Sequence, residues 1–424
     1  MIKSVKILLI VLFVITPYVY SLDVIDKIST QFYYLSILNF ASLIFNMSLI
    51  ENFNNTLLKL LKSKLFITLS FFIIYGLITY FFAINPKEVI IGFSNWFNVL
   101  LALINLFLIL KSFKNPILIV SYLVVGTLFI ELLATLYQIS NIIAFEKYNF
   151  SYANKLIGLT SNKNINAASL VSKLPFLFFL IHTIKHKILR YIYFILVFLT
   201  SAVLVFLSAR AALISLFSIT IFYIILLLIK KLKYSILKQH SLPIFFLIIL
   251  GFLVANLYVG FNNTASINSR ISTIINLDED ISATSRIRFF TQALESFKSN
   301  PFFGVGLSNW KIESIKYDNK TMNGYIVQYH AHNDFLQNLA ELGIFGFISY
   351  ALIFLQIAIL NIKVFFRKNE YFSFFSLSVL LSLGAYFIDS NLNFPQARLV
   401  NLMLFILLII SSIFNSNLLE NENN

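Results

Sequence analysis

The sequence predicts an all-α integral membrane protein with about twelve transmembrane helices. Three observations predict it. The 424 residues are 59% hydrophobic and 12% charged, where a soluble chain carries roughly 25% charged residues. Apolar stretches of about 20 residues, the length that crosses a bilayer, recur along the whole chain. Basic residues gather in alternate connections between those stretches, as membrane topology requires. These features exclude an ordinary cytosolic enzyme. The absence of cysteine excludes a disulfide-built secreted domain and any thiolate metal site.

In chain order the apolar stretches lie near 4–22, 31–50, 65–83, 89–110, 116–139, 166–183, 189–207, 211–229, 242–260, 334–360, 371–390 and 397–414. Two are less apolar than the rest: 166–183 contains Lys173, and 89–110 contains Asn95 and Asn98. The first stretch also fits a signal peptide, with Lys3 and Lys6 as its basic region and Val19-Tyr20-Ser21 as a cleavage site. The net charge of +14 would suggest nucleic acid on a soluble protein. Here its lysines set orientation instead. Lys3, Lys59, Lys64, Lys111, Lys187, Lys230 and Lys363 fall on one face. The positive-inside rule makes that face cytoplasmic, with both termini inside. No nucleic-acid partner is expected; membrane lipids are.

The chain reads as one polytopic domain, 1–424, ending in a short flexible Asn/Glu tail at 415–424 on the cytoplasmic side. One connection differs from the others. Residues 261–333, about 70 mixed polar residues, lie on the outer face, and a loop this long is usually functional. Within it, Ile287, Phe289, Phe290, Ala293, Leu294 and Phe297 recur at helical spacing. They predict an amphipathic helix near 286–299, lying on the membrane or on the bundle. Thr284 or Ser285 would cap it, and Asn300-Pro301 would stop it. Gly304-Val305-Gly306 then makes a tight turn. It terminates a helix or, on weaker grounds, approaches a phosphate.

Candidate chemistry centres on Tyr329-His330-Ala331-His332-Asn333-Asp334. Asn333 or Asp334 can cap the tenth span. His332 then sits at a helix N-terminus, where the positive end of the dipole disfavours imidazolium. A neutral imidazole suits a general base; a solvated capping histidine is the plain alternative. Asn333, Gln337 and Glu341 share one helix face, either as a cavity lining or as a helix–helix hydrogen-bond seam. Gly343 and Gly346 permit close backbone packing beyond it. His330 and His332 alone complete no metal set, and no metal is expected.

Arginines form a second group. Arg210 stands between two apolar runs, to bind a phosphate or to snorkel to headgroups. Arg286 and Arg288 open the loop helix, against the dipole rule. As i and i+2 they face different sides, so one of them is expected to face the site. Arg398, after Phe394-Pro395, is a fourth candidate. Asn162 and Asn164, in a polar outer loop, offer carboxamides for sugar hydroxyls. Glu131, Thr135 and Gln138 put a polar stripe on the fifth span, again a seam or a cavity lining.

At these residues the chain resembles the O-antigen ligase and polymerase superfamily of bacterial membrane glycosyltransferases. His332-Asn333, nine residues, Gly343, two residues, Gly346 resembles its His-Asn-x9-Gly-x-x-Gly signature. Asn300-Pro301-Phe302-Phe303-Gly304-Val305-Gly306 resembles its Asn-Pro-hydrophobic-Gly-x-Gly segment. Ser208-Ala209-Arg210 departs from its Ser-Arg pattern by one inserted Ala, and Arg286 with Phe290 resembles its Arg-x3-Trp. Asn162-Lys163-Asn164 resembles its Asn-x-Asn. The similarity runs over roughly 155–400.

The resemblance implies a glycosyltransferase C-like, metal-independent enzyme that needs no cofactor. It implies action at the periplasmic face of the bacterial inner membrane. A glycan would pass from undecaprenyl diphosphate to an acceptor hydroxyl. His332 would take the acceptor proton, and Arg210 with Arg286 or Arg288 would hold the diphosphate. A ligase delivers the glycan to the lipid A core; a polymerase delivers it to another lipid-linked repeat unit. The spacing of the His-Asn and Gly-x-x-Gly motifs favours the ligase. A flippase or transporter is the alternative from another class, although internal repeats, which such proteins often show, are absent.

Overall fold

A computed structural model describes residues 2–19, 26–50, 52–230, 237–261, 281–318 and 328–421. Residues 262–280 and 319–327 of the long connection, and Tyr20-Ser21, lie outside the described residues. The protein is an all-α multi-pass membrane protein. Its α-helices are α1 (Ile2–Ile15), α2 (Lys27–Leu49), α3 (Phe53–Leu61), α4 (Lys64–Ile78), α5 (Pro86–Lys111), α6 (Pro116–Phe145), α7 (Lys163–Thr183) and α8 (Lys187–Leu207). They continue with α9 (Arg210–Lys230), α10 (Leu242–Phe261), α11 (Ile281–Ser299), α12 (Trp310–Asp318), α13 (Asp334–Phe365), α14 (Glu370–Leu392) and α15 (Leu399–Asn421).

Eleven of the described helices are long and apolar enough to cross a membrane, against the twelve expected. The difference is the first stretch. Its helix stops at Ile15, and Pro17 turns the chain into a 3-10 turn at Thr16–Tyr18. At 14 residues α1 is too short to span. It instead buries Leu9, Ile10, Phe13 and Val14 beside α2 and α5. At the other end, α15 runs on to Asn421, into the stretch read as a flexible tail.

The helices group into two compact units. The first comprises residues 1–114, 276–357 and 390–413. In it α2 and α5 share a ladder of asparagines. Asn39 Nδ2 donates to the Asn98 carbonyl at 2.9 Å, Asn105 Nδ2 to the Asn39 carbonyl at 3.1 Å, and Asn46 Nδ2 to Asn105 Oδ1 at 2.9 Å. These amides bind backbone and side-chain carbonyls across the two helices, while the Asn98 amide donates to the Ser94 carbonyl of its own helix at 3.0 Å.

The second unit comprises 115–275, 358–389 and 414–424. Its α7 is buried almost throughout while most of α10 is not, so α7 is central to the unit and α10 peripheral. Lys173 on α7 pairs with Glu131 on α6 at 2.8 Å, and Ser169 donates to the same carboxylate at 2.7 Å. Asn166 donates to Thr135 at 2.9 Å, and Gln138 exchanges two bonds with the Gly158 backbone. The polar stripe on α6 is therefore a helix–helix seam.

Candidate active site

The first unit gathers most of the predicted site residues, and a backbone clasp builds it. α13 is broken at Gly343, whose φ of 63° and ψ of −163° only glycine adopts readily. The break frees backbone groups that an intact helix would pair. The segment after α11 fills it: Val305 N–H donates to the Ala340 carbonyl at 3.0 Å, and Gly306 N–H to the Glu341 carbonyl at 2.8 Å. In return Ile344 N–H donates to the Pro301 carbonyl at 2.9 Å. A Cβ on Gly343 would lie 2.2 Å from the Phe302 carbonyl oxygen, and one on Gly304 would lie 2.3 Å from Glu341 backbone. The two glycine motifs thus interlock.

The same segment is sewn to α4 and α5. Tyr75 Oη donates to the Phe302 carbonyl at 2.6 Å, Leu307 N–H to Thr79 Oγ1 at 3.1 Å, and Asn309 pairs with the Asn85 backbone. Glu341 reinforces the clasp. Its carboxylate is buried and accepts from the N–H groups of Ser308 at 2.8 Å and Trp310 at 3.1 Å, at the start of α12. The stripe Asn333, Gln337, Glu341 is accordingly part of a hydrogen-bonded seam. Gly304 and Gly306 support the clasp: their N–H groups already donate to the Asn300 and Glu341 carbonyls, so a phosphate has no claim on them.

The clasp delivers the chain to His332. Asn333 caps α13, accepting from Leu336 N–H at 3.0 Å. His332, just before the cap, has a left-handed φ of 55°, a conformation in which His is enriched among non-glycine residues. Its imidazole stands edge-on to Phe394 at 4.9 Å and near the Phe289 ring at 6.1 Å. His330 stacks on Phe394 at 4.3 Å. Phe394 also receives the Arg398 guanidinium, 5.1 Å from its centroid.

Of the two loop-helix arginines, Arg286 points toward the 390s segment, donating to Asn393 Oδ1 at 3.4 Å. Arg288 lies over the Phe289 ring at 5.2 Å. The helix starts at Ile281, ahead of Thr284 and Ser285. Neither arginine is therefore in the first turn, and the dipole argument for them does not hold. α11 packs on the bundle through Phe289, Gln292, Ala293 and Ser296, and leaves Ile287 and Leu294 exposed.

Burial, then the Arg286 charge, pushes the His332 pKa down to about 4. Burial, then Arg398 and His332, pushes that of His330 down to about 3. Both rings are neutral at pH 7. The arrangement is a proton-accepting imidazole beside guanidinium groups on an aromatic platform. Among the described residues no group of three or more His, Asp or Glu converges as a metal site requires.

Residues 195–351 match the O-antigen ligase family model. The match bears out the resemblance carried by the motifs, over a shorter span than 155–400. It takes in Arg210, Arg286, Arg288, the glycine clasp, His330, His332, Asn333 and Glu341. An O-antigen ligase domain identifies a glycosyltransferase-like membrane enzyme of the ligase and polymerase type, acting on lipid-linked glycans. No curated protein matches the chain.

Outside the family match, the 390s segment supplies groups that sequence reading missed. Asn391 meets Asn333 at 3.4 Å, Gln396 meets Asn338 at 3.0 Å, and Gln396 N–H donates to Asp334 at 3.1 Å. The signal was present in Asn391, Asn393 and Phe394, polar and aromatic residues closing an apolar run.

The remaining predicted residues lie on the second unit. Arg210 opens α9 after a turn in which Ser208 has a φ of 50°. It is a cation at a helix N-terminus, where the dipole opposes it. Asn162 caps α7, its Oδ1 accepting from Asn164 N–H at 2.7 Å. That lone-pair site is committed to the helix, so Asn162 serves structure first.

Proposed function

We propose that the protein is an O-antigen ligase that moves a glycan from undecaprenyl diphosphate to a hydroxyl of the lipid A core. The acceptor hydroxyl gives its proton to His332 as its oxygen attacks the anomeric carbon. The bond from that carbon to the diphosphate breaks, and the diphosphate departs on its lipid carrier. Direct attack inverts the anomeric centre. Arg286 stabilises the negative charge on the leaving group; Arg398, which also faces the Asp26 carboxylate, is the second candidate for that role. For Arg210 the support is the resemblance and its half-buried position at a helix N-terminus, against the dipole rule; Arg210→Ala tests it separately. The lysines in the connections after α3, α5, α7, α9 and α13 support a cytoplasmic C-terminus, which puts His332 at the periplasmic face of a bacterial inner membrane. With eleven spans, the segment ahead of α2 then lies on the face opposite the C-terminus, and not inside with it as expected.

The observation that carries this reading is a neutral histidine held beside a guanidinium at the mouth of a capped helix. The experiment is reconstitution with an undecaprenyl-diphosphate glycan and lipid A core. Transfer to the core supports the ligase. Extension of the glycan on its lipid, with none on the core, makes the protein a polymerase.

The pH dependence is a second check. The base form of His332 exists above its pKa, so lowering that pKa extends activity to lower pH. The acidic limb of kcat/KM is expected near pH 4, well below the ordinary histidine value of about 6.5. A limb between 6 and 7 would exclude a buried His332 as the base.

A further inference from the structure

The histidine-bearing segment, from Gln328 to Asn333, has no helix of its own. Its backbone is held at one point between the two imidazoles. Ala331 is fully buried, and its N–H donates to Gln337 Oε1 at 3.1 Å. The other end of that amide is fixed as well, Gln337 Nε2 donating to Glu341 Oε1 at 3.1 Å. Glu341 is anchored by the N–H groups of Ser308 and Trp310. A carboxamide suits this place because one end accepts from backbone while the other donates to a carboxylate.

We propose that Gln337 is a positioning residue for His332, transmitting the rigidity of the clasp to the imidazole through the Ala331 N–H. The inference rests on reading His332 as the base. Its physical basis is the left-handed turn at His332, which persists only where the surroundings over-determine it. Loss of the Ala331 bond lets that turn relax to an ordinary φ, and the ring swings off Phe394. A misplacement of about 1 Å costs a reaction about 10²-fold.

The test compares Gln337→Met, Gln337→Glu and His332→Asn, all reconstituted with the same lipid-linked donor and acceptor. Gln337→Met keeps the length of the side chain and removes both bonds, together with the bond from Gln337 to the His330 ring. Its kcat is expected to fall about 10²-fold with the donor KM little changed. Its acidic limb should move up from about 4 toward 6.5 as the ring leaves its buried position. Gln337→Glu keeps an acceptor for Ala331 and leaves both Glu341 oxygens to the Ser308 and Trp310 N–H groups. A proton shared between the two carboxyl groups replaces the second bond, and its rate should exceed that of Gln337→Met by at least about tenfold.

A Gln337→Met protein with wild-type kcat and limb overturns the inference. So does one that loses folded protein while each folded molecule keeps its rate. Should Gln337→Met fail to accumulate, Gln337→Asn, one methylene too short for both partners, takes its place: a rate well below that of Gln337→Glu supports positioning, and equal rates overturn it. His332→Asn separates the two claims. If it stays active, the base reading fails; if it is inactive while Gln337→Met is unaffected, positioning alone fails.

Discussion

The His332→Asn protein is expected to fold as wild type does and to lose glycan transfer by about 10²–10⁴-fold in kcat/KM, the usual worth of a general base. Asparagine is the informative substitution. It accepts the left-handed backbone of His332, as few side chains do. Alanine there would mix loss of the base with backbone strain of about 1–2 kcal/mol. Asparagine carries no group that takes up a proton at neutral pH. If Arg286 holds the donor as proposed, donor binding should survive, because that residue is untouched. The measurement is initial transfer rate against donor concentration. A rate within a few-fold of wild type would remove His332 from the chemistry.

Lys173→Met is expected to destabilise the second unit by about 3–5 kcal/mol, the usual cost of removing one member of a buried ion pair. Glu131 is fully buried, and Lys173 nearly so. The single change strands a carboxylate that retains the Ser169 hydroxyl at 2.7 Å but loses its cation. Removing both charges, as Glu131→Leu with Lys173→Met, should cost far less, because no buried charge is left behind. Unfolding of the purified protein in detergent, monitored by helical signal, gives both numbers. Equal losses in the single and double variants would mean that packing, and not the ion pair, holds α6 to α7.

These two residues also mark what a sequence can disclose. Lys173 is plainly anomalous in an apolar stretch, but Glu131 lies 42 positions away, and nothing local joins them. The spans were legible because hydropathy is a property of consecutive residues. His332-Asn333 was legible because capping is local too. The role of Glu341 was not. Its partners are backbone N–H groups of Ser308 and Trp310, and every residue type but proline offers one. Gly343 and Gly346 announced close packing, but the positive φ that breaks α13 exists only once residues 301–306 are in place. The site suffered in the same way. Arg286 was found, while Asn393, its partner 107 residues on, was not, and the true start of α11 undid the dipole argument for Arg286.

The broken helix has a consequence for how such proteins can be recombined. Residues 301–306 and the stretch around Gly343 complete one another's hydrogen bonds, so neither is a module alone. A chimaera that imports the long connection without its following helix would join a foreign key to a native lock. Three backbone pairings would be lost, and their groups at Val305, Ala340 and Glu341 are buried, where an unpaired backbone group is costly. The smallest exchangeable cassette therefore begins before Asn300 and ends beyond Gly346, and it carries the histidine pair with it.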